Sequence, residues 1–328
     1  TVPKQKNAPM KTKLLIAFLL LGLAARRVLL DDHAVALGRV GRLPVRRLDA
    51  EDTQRQEDPE HGAEPRIGDR LPVARIQPLQ RHRDDQLVEI LAAEPVVAGG
   101  RVFVHSRRDP EEIISAINLA DGKLMWEQKY QAQFKKNQYA VEMAKGPNST
   151  PLVIGDRLIT LGVTGILNAW DTATGKQLWT KDFSKSIDTS KLFCGTAASP
   201  LLVDGRLVVQ VGSDIHGGQI LGLNPKTGAT EWEWKGLGPG YASPVVIEAG
   251  GQRQIVTMTQ GSIVGIDAKN GTELWSVPFP DEWNENISTP LWTGAHLVVS
   301  GTRQGTHAFA LTQTGGKWQA TESWKNPE

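Results

Sequence analysis

Ala116-Ile-Asn118-Leu-Ala-Asp121-Gly122-Lys-Leu-Met-Trp126 returns as Ala169-Trp-Asp171-Thr-Ala-Thr174-Gly175-Lys-Gln-Leu-Trp179. It returns again as Gly222-Leu-Asn224-Pro-Lys-Thr227-Gly228-Ala-Thr-Glu-Trp232 and as Gly265-Ile-Asp267-Ala-Lys-Asn270-Gly271-Thr-Glu-Leu-Trp275. A degraded fifth copy reads Ala310-Leu-Thr-Gln-Thr-Gly315-Gly-Lys-Trp318. The shared pattern is a small residue, an Asp or Asn two places on, a turn glycine, and a tryptophan. A phrase that recurs every 40–50 residues or so is the signature of a solenoid or a propeller.

A second phrase keeps step with the first. Pro95, Pro151, Pro200, Pro244 and Pro290 each open a branched-aliphatic run, then a glycine turn, then another apolar run. Two such runs around a Gly, Asp-Gly or Gly-Asp turn make a β-hairpin, because that turn needs positive φ. Proline at the first residue of a strand removes no ladder donor. The tryptophan phrase is a second hairpin. Its Asx side chain bonds the backbone ahead, and its glycine takes the left-handed position. Two hairpins make a four-stranded sheet, which covers both faces only when stacked on its neighbours. The expected fold is all-β: a β-propeller of four-stranded antiparallel blades, about five of them present. Trp126, Trp179, Trp232 and Trp275, with Gly122, Gly175, Gly228 and Gly271, are expected to dock blade against blade.

The paired repeat resembles the tryptophan-docking repeat of the pyrroloquinoline quinone (PQQ)-type β-propellers. That family includes quinoprotein dehydrogenases and the propeller lipoprotein of the outer-membrane assembly machinery. The resemblance covers roughly residues 94–328 and speaks for fold more than function, since enzymes and scaffolds share the repeat. It implies seven or eight blades, so the chain reads as part of a propeller. Its last blade is expected to bare an apolar face containing Leu291, Leu297 and Val299.

The first quarter reads differently. Met10-Lys-Thr-Lys13 and the apolar run Leu14–Leu23 resemble an export signal, with a cut expected after Ala24. Residues 1–9 read as leader or added sequence. Ten apolar residues are too few to span a bilayer, which takes about 20. Residues 26–90 carry twelve Arg, no Lys and no aromatic residue, whereas residues from 111 onward carry fourteen Lys and four Arg. Residues 25–93 are therefore expected to be disordered or translated out of frame.

The 328 residues carry a net charge of +1, which gives no case for nucleic acid or a membrane surface as partner. The quinoprotein resemblance implies a quinone held on a disulfide of neighbouring cysteines, a Ca²⁺ ion and an aspartate base. The single cysteine, Cys194, excludes that disulfide, and its own reading is a small buried packing residue. No run resembles a calcium loop. The seven histidines are scattered without zinc spacing; His105 and His307 read as core or rim. The expectation is no cofactor, no metal and no catalytic residue.

What remains is one end of the propeller. Ser149, Ser199, Ser243 and Ser288 sit just before the strand-opening prolines, where they either ring a channel mouth or cap turns. Irregular Gly-rich segments containing His216 and Arg303 form a possible binding rim or plain connections. The chain is read as an exported, periplasmic or extracellular non-catalytic scaffold that binds a protein or small ligand at its face. The alternative is a quinoprotein dehydrogenase or a degenerate relative of one.

Overall fold

In a computed structural model, residues 93–135, 137, 145–185, 192–213 and 216–327 are described. The export signal and nearly all of the arginine-rich segment lie outside them. The described residues form twenty strands in five four-stranded antiparallel sheets, each a simple meander.

Blade 1 is β1 (Val96–Ala98), β2 (Arg101–Arg108), β3 (Glu111–Asn118) and β4 (Leu124–Gln131). Blade 2 is β5 (Leu152–Ile154), β6 (Arg157–Leu161), β7 (Ile166–Asp171) and β8 (Gln177–Asp182). Blade 3 is β9 (Leu201–Val203), β10 (Arg206–Ser213), β11 (Gly217–Leu223) and β12 (Thr230–Gly236). Blade 4 is β13 (Val245–Ala249), β14 (Gln252–Met258), β15 (Ser262–Asp267) and β16 (Glu273–Pro278). Blade 5 is β17 (Leu291–Trp292), β18 (His296–Gly301), β19 (Gly305–Thr314) and β20 (Lys317–Asn326). Every blade opens on the residue after its proline.

The hydrophobic core is divided among the blade interfaces. Phe103, Ala116, Trp126, Leu158 and Trp170 pack between blades 1 and 2. Leu161, Leu167, Val209 and Leu221 pack between blades 2 and 3. Trp232, Trp234, Ile255 and Val264 pack between blades 3 and 4. Ile247, Trp275, Leu297, Phe309 and Trp318 pack between blades 4 and 5.

Register shows how the tryptophan phrase works. Ala116 faces Trp126, Ala169 faces Trp179, Gly222 faces Trp232 and Gly265 faces Trp275, and a bulge follows the small residue each time. The bulge adds local twist. In blade 5 the pair before the bulge is Ala308 and Trp324. The reading of Ala310 to Trp318 as the fifth copy is therefore corrected. The β19–β20 hairpin runs past the usual turn to Gly315-Gly316, which carries Trp318 outward and leaves Trp324 at the equivalent register. The last face also needs correction. Leu297 and Val299 are buried against blade 4, and only Leu291 of the three expected residues is exposed.

Candidate functional site

The meander puts two kinds of connection at opposite ends of the blades. One end carries the tight turns inside each hairpin: β1–β2, β3–β4 and their repeats. The other carries the β2–β3 type of turn and the long connections between blades. Ser149, Ser199, Ser243, Ser288, His216 and Arg303 all lie at this second end, the loop end.

The turn end holds the glycines. In each Asx turn the side chain accepts from the backbone ahead: Ala120 N to Asn118 Oδ1 at 2.8 Å, Thr174 N to Asp171 Oδ1 at 2.8 Å, Lys226 N to Asn224 Oδ1 at 2.9 Å, Lys269 N to Asp267 Oδ1 at 2.7 Å. Hydrogen bonds from Thr174, side chain and backbone, hold the Asp171 carboxyl below its ordinary range. The glycine that closes the turn has φ near +72° in blades 1, 2 and 3 and +75° in blade 4. The preceding blade's indole lies on it. A Cβ on Gly175 would stand 2.7 Å from Trp126, one on Gly228 2.9 Å from Trp179, and one on Gly271 2.5 Å from Trp232. Trp126 Nε1 donates to Thr172 O and Trp179 Nε1 to Pro225 O, both at 3.1 Å. Gly122 has no such neighbour within 4 Å among the described residues. Between blades 4 and 5 the device differs. Trp275 Nε1 donates to Gln254 Oε1 within its own blade, and Trp318 Nε1 reaches back to Gln252 Oε1 of blade 4, both at 2.7 Å.

At the loop end, hydroxyls join neighbouring blades. Thr150 N donates to Ser199 Oγ at 3.0 Å, and Ser199 N to Ser243 Oγ at 2.9 Å. Ser149 is buried; Ser199, Ser243 and Ser288 are half-buried; His216 and Arg303 are exposed.

A second series of bonds runs from each inter-blade loop to the next. Asn148 Nδ2 donates to Cys194 O at 2.8 Å. Phe193 N donates to Tyr241 Oη at 3.0 Å. Tyr241 N and Ala242 N donate to Asn286 O at 2.9 and 3.0 Å. Buried Asn286 then donates through Nδ2 to Thr259 O, Gln260 O and Phe279 O at 2.8, 3.3 and 2.9 Å. Sequence reasoning passed over Asn286 entirely. Its only signal is a place just before a strand-opening Ser-Thr-Pro. Cys194 is half-buried rather than buried.

Blade 1 meets blade 2 through a buried carboxylate. Glu112 Oε1 accepts from Val163 N at 2.9 Å, and Oε2 meets His105 Nε2 at 3.0 Å and the Tyr130 hydroxyl. Burial pushes the Glu112 carboxyl up, but its bonds to His105, Tyr130 and Val163 outweigh this and hold it below the ordinary glutamate range. Burial first, then the Glu112 charge, push the Tyr130 phenol well above its ordinary value. A Cβ on Gly162 would lie 2.3 Å from Glu112 Oε2, so the approach requires glycine there. His105 and His307 are both buried. His307 bonds Glu322 at 2.7 Å and sits between the rings of Phe279 and Phe309.

A rim of exposed side chains surrounds this bonded framework. Leu237 and Trp283 are more than half exposed. The Arg303 guanidinium lies 5.8 Å from the Trp283 ring and pairs with Glu282. Among the described residues no three His, Cys, Asp or Glu side chains gather as a metal site would require. Both Glu112 oxygens are engaged, and the sequence holds a single cysteine.

Comparison with known proteins gives the same repeat a family. The family model described as "Outer membrane protein assembly factor BamB" matches residues 110–327. The outer membrane protein assembly factor BamB of Kangiella koreensis is 27% identical over 192 residues, 58% of this chain and 44% of its own length. The quinohemoprotein alcohol dehydrogenase ADH-IIG of Pseudomonas putida is 24% identical over 144 residues, 43% of this chain and 19% of its own. The chain thus spans less than half the length of the curated relatives it matches. The solved structure of BamB from Moraxella catarrhalis aligns with 70% of this chain and 58% of that one, at 16% identity and a TM-score of 0.46. From the second hairpin of blade 1 through blade 5, the chain belongs to the outer membrane protein assembly factor BamB family of propellers.

Proposed function

We propose that this chain is an exported, non-catalytic propeller that acts as a scaffold, holding a polypeptide partner at its loop end. On this reading it serves the assembly of outer-membrane proteins, the role for which its matched relatives are named.

One observation carries the reading. Polar groups of the loop end join loops and blades to one another, through Ser199, Ser243, Tyr241 and Asn286. The side chains facing outward at this end include Leu237, Trp283, His216 and the Arg303–Glu282 pair. Tryptophan and arginine on a rigid framework suit a protein contact, where such residues carry a disproportionate share of the binding energy. Interlocked loops lose little further entropy on binding.

The test is photocrosslinking in cells that export the protein. A photoreactive residue at Trp283 or Leu237 is expected to capture a discrete polypeptide. One at Leu178, away from the loop end, is not. Equal capture at all three sites, or none at the loop end, would overturn the scaffold reading. Dye reduction with an alcohol, added quinone and Ca²⁺ checks the non-catalytic part; sustained turnover would refute it.

A further inference from the structure

The β18–β19 turn is tied to the connection that follows blade 4. Gln304 Nε2 donates to Pro280 O, Arg303 pairs with Glu282, and the Arg303 guanidinium lies 5.8 Å from the Trp283 ring. Within the turn, Gln304 N donates to Gly301 O at 3.2 Å. Trp283 is set by Asp281, whose Oδ1 accepts from Trp283 N at 2.9 Å and from Glu285 N at 3.0 Å. The order of this part of the rim therefore depends on what holds Gln304.

His307 holds it. Its Nε2 meets Gln304 O at 3.1 Å, and its Nδ1 meets Glu322 Oε2 at 2.7 Å. A carbonyl oxygen only accepts, so Nε2 carries a hydrogen. A neutral imidazole has one N–H, which leaves Nδ1 a lone pair facing a carboxylate that also only accepts. The bond between them needs a further proton. Whether it sits on Nδ1 or on Glu322, the pair holds one proton more than neutral histidine beside ionised glutamate. The ring has little room to turn away when that proton leaves. It is buried, stacked on Phe309 at 6.0 Å and met edge-on by Phe279 at 5.1 Å. The charged groups on the elements around it are Glu322 and its register partner Lys325 on β20, Arg303 on the turn, and Asp281, Glu282 and Glu285 on the connection.

We propose that His307 is a proton-dependent latch for the Trp283–Arg303 part of the rim. With the further proton in place both bonds form, and the β18–β19 turn is fixed. Without it the remaining N–H goes to Glu322, because a bond to a charged acceptor is roughly twice as strong as one to a neutral carbonyl. Nε2 then turns a lone pair on Gln304 O. The turn lets go and takes Arg303 and the Gln304 amide away from residues 280–283. The latched state binds the further proton, so acid favours it and it is lost as pH rises. The latch sets the order of the rim whether or not a polypeptide is held there.

Three readouts on the full chain test it between about pH 5 and pH 9, the span in which histidine ionises. Proton–nitrogen correlation spectra of the imidazoles are expected to show His307 Nε2 protonated at the acid end and bare at the alkaline end. Amide exchange in residues 301–305 and 280–284, corrected for the intrinsic rate, is expected to run about tenfold faster at the alkaline end, as for loss of one hydrogen bond. In fluorotryptophan-labelled protein the Trp283 signal, assigned with Trp283→Phe, is expected to shift with the same midpoint as Nε2. His307→Gln is expected to abolish that shift. Glu322→Gln, at a half-exposed position, is the variant least disturbing to the fold. Its amide can donate to Nδ1, so neutral His307 keeps Nε2–H on Gln304 O and the turn stays protected at every pH. An Nε2 whose protonation is constant across the range, a Trp283 signal with a different midpoint, or a Glu322→Gln variant that responds like the wild type would overturn the latch. All readouts are taken without a partner, so the latch can fail while the scaffold reading stands.

Discussion

Replacing Gly175 with Ala measures blade docking directly, because Gly122 supplies a control at matched geometry. The two glycines close the same turn at φ +72° and +71°. A left-handed alanine costs about 1–2 kcal/mol at either site, and the gain from a less flexible unfolded chain is common to both. The surroundings differ. At Gly175 the new methyl would stand 2.7 Å from Cδ2 and Cε3 of Trp126. Carbon atoms rest at about 3.5–4.0 Å, so the ring must retreat by roughly 1 Å. It is held by its bond to Thr172 O and by Phe103, whose ring centroid is 6.0 Å away. Overpacking of this kind adds about 1–3 kcal/mol. At Gly122 a Cβ meets nothing within 4 Å among the described residues. Urea unfolding should therefore show Gly175→Ala about 1–3 kcal/mol less stable than Gly122→Ala. Equal loss in the two variants would mean that the indole does not bear on the turn, and the docking account would fail.

Trp318→Ala should cost about 3–5 kcal/mol, as for large aromatic deletions in cores, because Trp318 is buried against blade 4. Trp324→Ala should cost less than half as much in dilute protein; the reverse order in thermal unfolding would restore Trp318 as the equivalent of the docking tryptophans. Glu112→Gln should cost about 3–5 kcal/mol at neutral pH, as for a broken buried charge network. The folded-state Glu112 carboxyl titrates below its unfolded value, so it stabilises above the ordinary glutamate range and that stability is lost as pH falls through the folded value. Stability of the wild type measured below about pH 4 should fall more steeply than that of the glutamine variant; parallel profiles would refute it. Asn286→Ala should leave Thr259 O, Gln260 O and Phe279 O without their donor. It should speed amide exchange in residues 237–244 and 279–290 while β2 and β3 stay protected.

The repeated phrases made the blades legible because their information is local. A proline start, an Asx turn and a left-handed glycine act within a few residues, so the strand starts after Pro95, Pro151, Pro200, Pro244 and Pro290 were readable in order. The fifth copy misled for the same reason. The copy was read from Ala310 to Trp318 around the Gly315-Gly316 turn, whereas the small residue that faces a tryptophan before the bulge is Ala308. The hairpin between Ala308 and Trp324 is longer, and only strand pairing reveals it. The loop end was legible as a place and not as a mechanism. Ser199 and Ser243 were visible before their prolines, but their partners lie 49 and 44 residues away. Asn286 carries no motif; its role exists only where three loops converge.

The sequence by itself determined the hairpins, their count in the described chain and the family, since turn chemistry and strand periodicity are short-range. Tertiary structure decided which face of each blade is covered, where the polar groups of the loop end find partners, and which tryptophan remains exposed. Those outcomes depend on stacking between blades more than 40 residues apart, as between Trp126 and Thr172. In blade 5 a hairpin six residues longer puts Trp324 rather than Trp318 opposite the small residue.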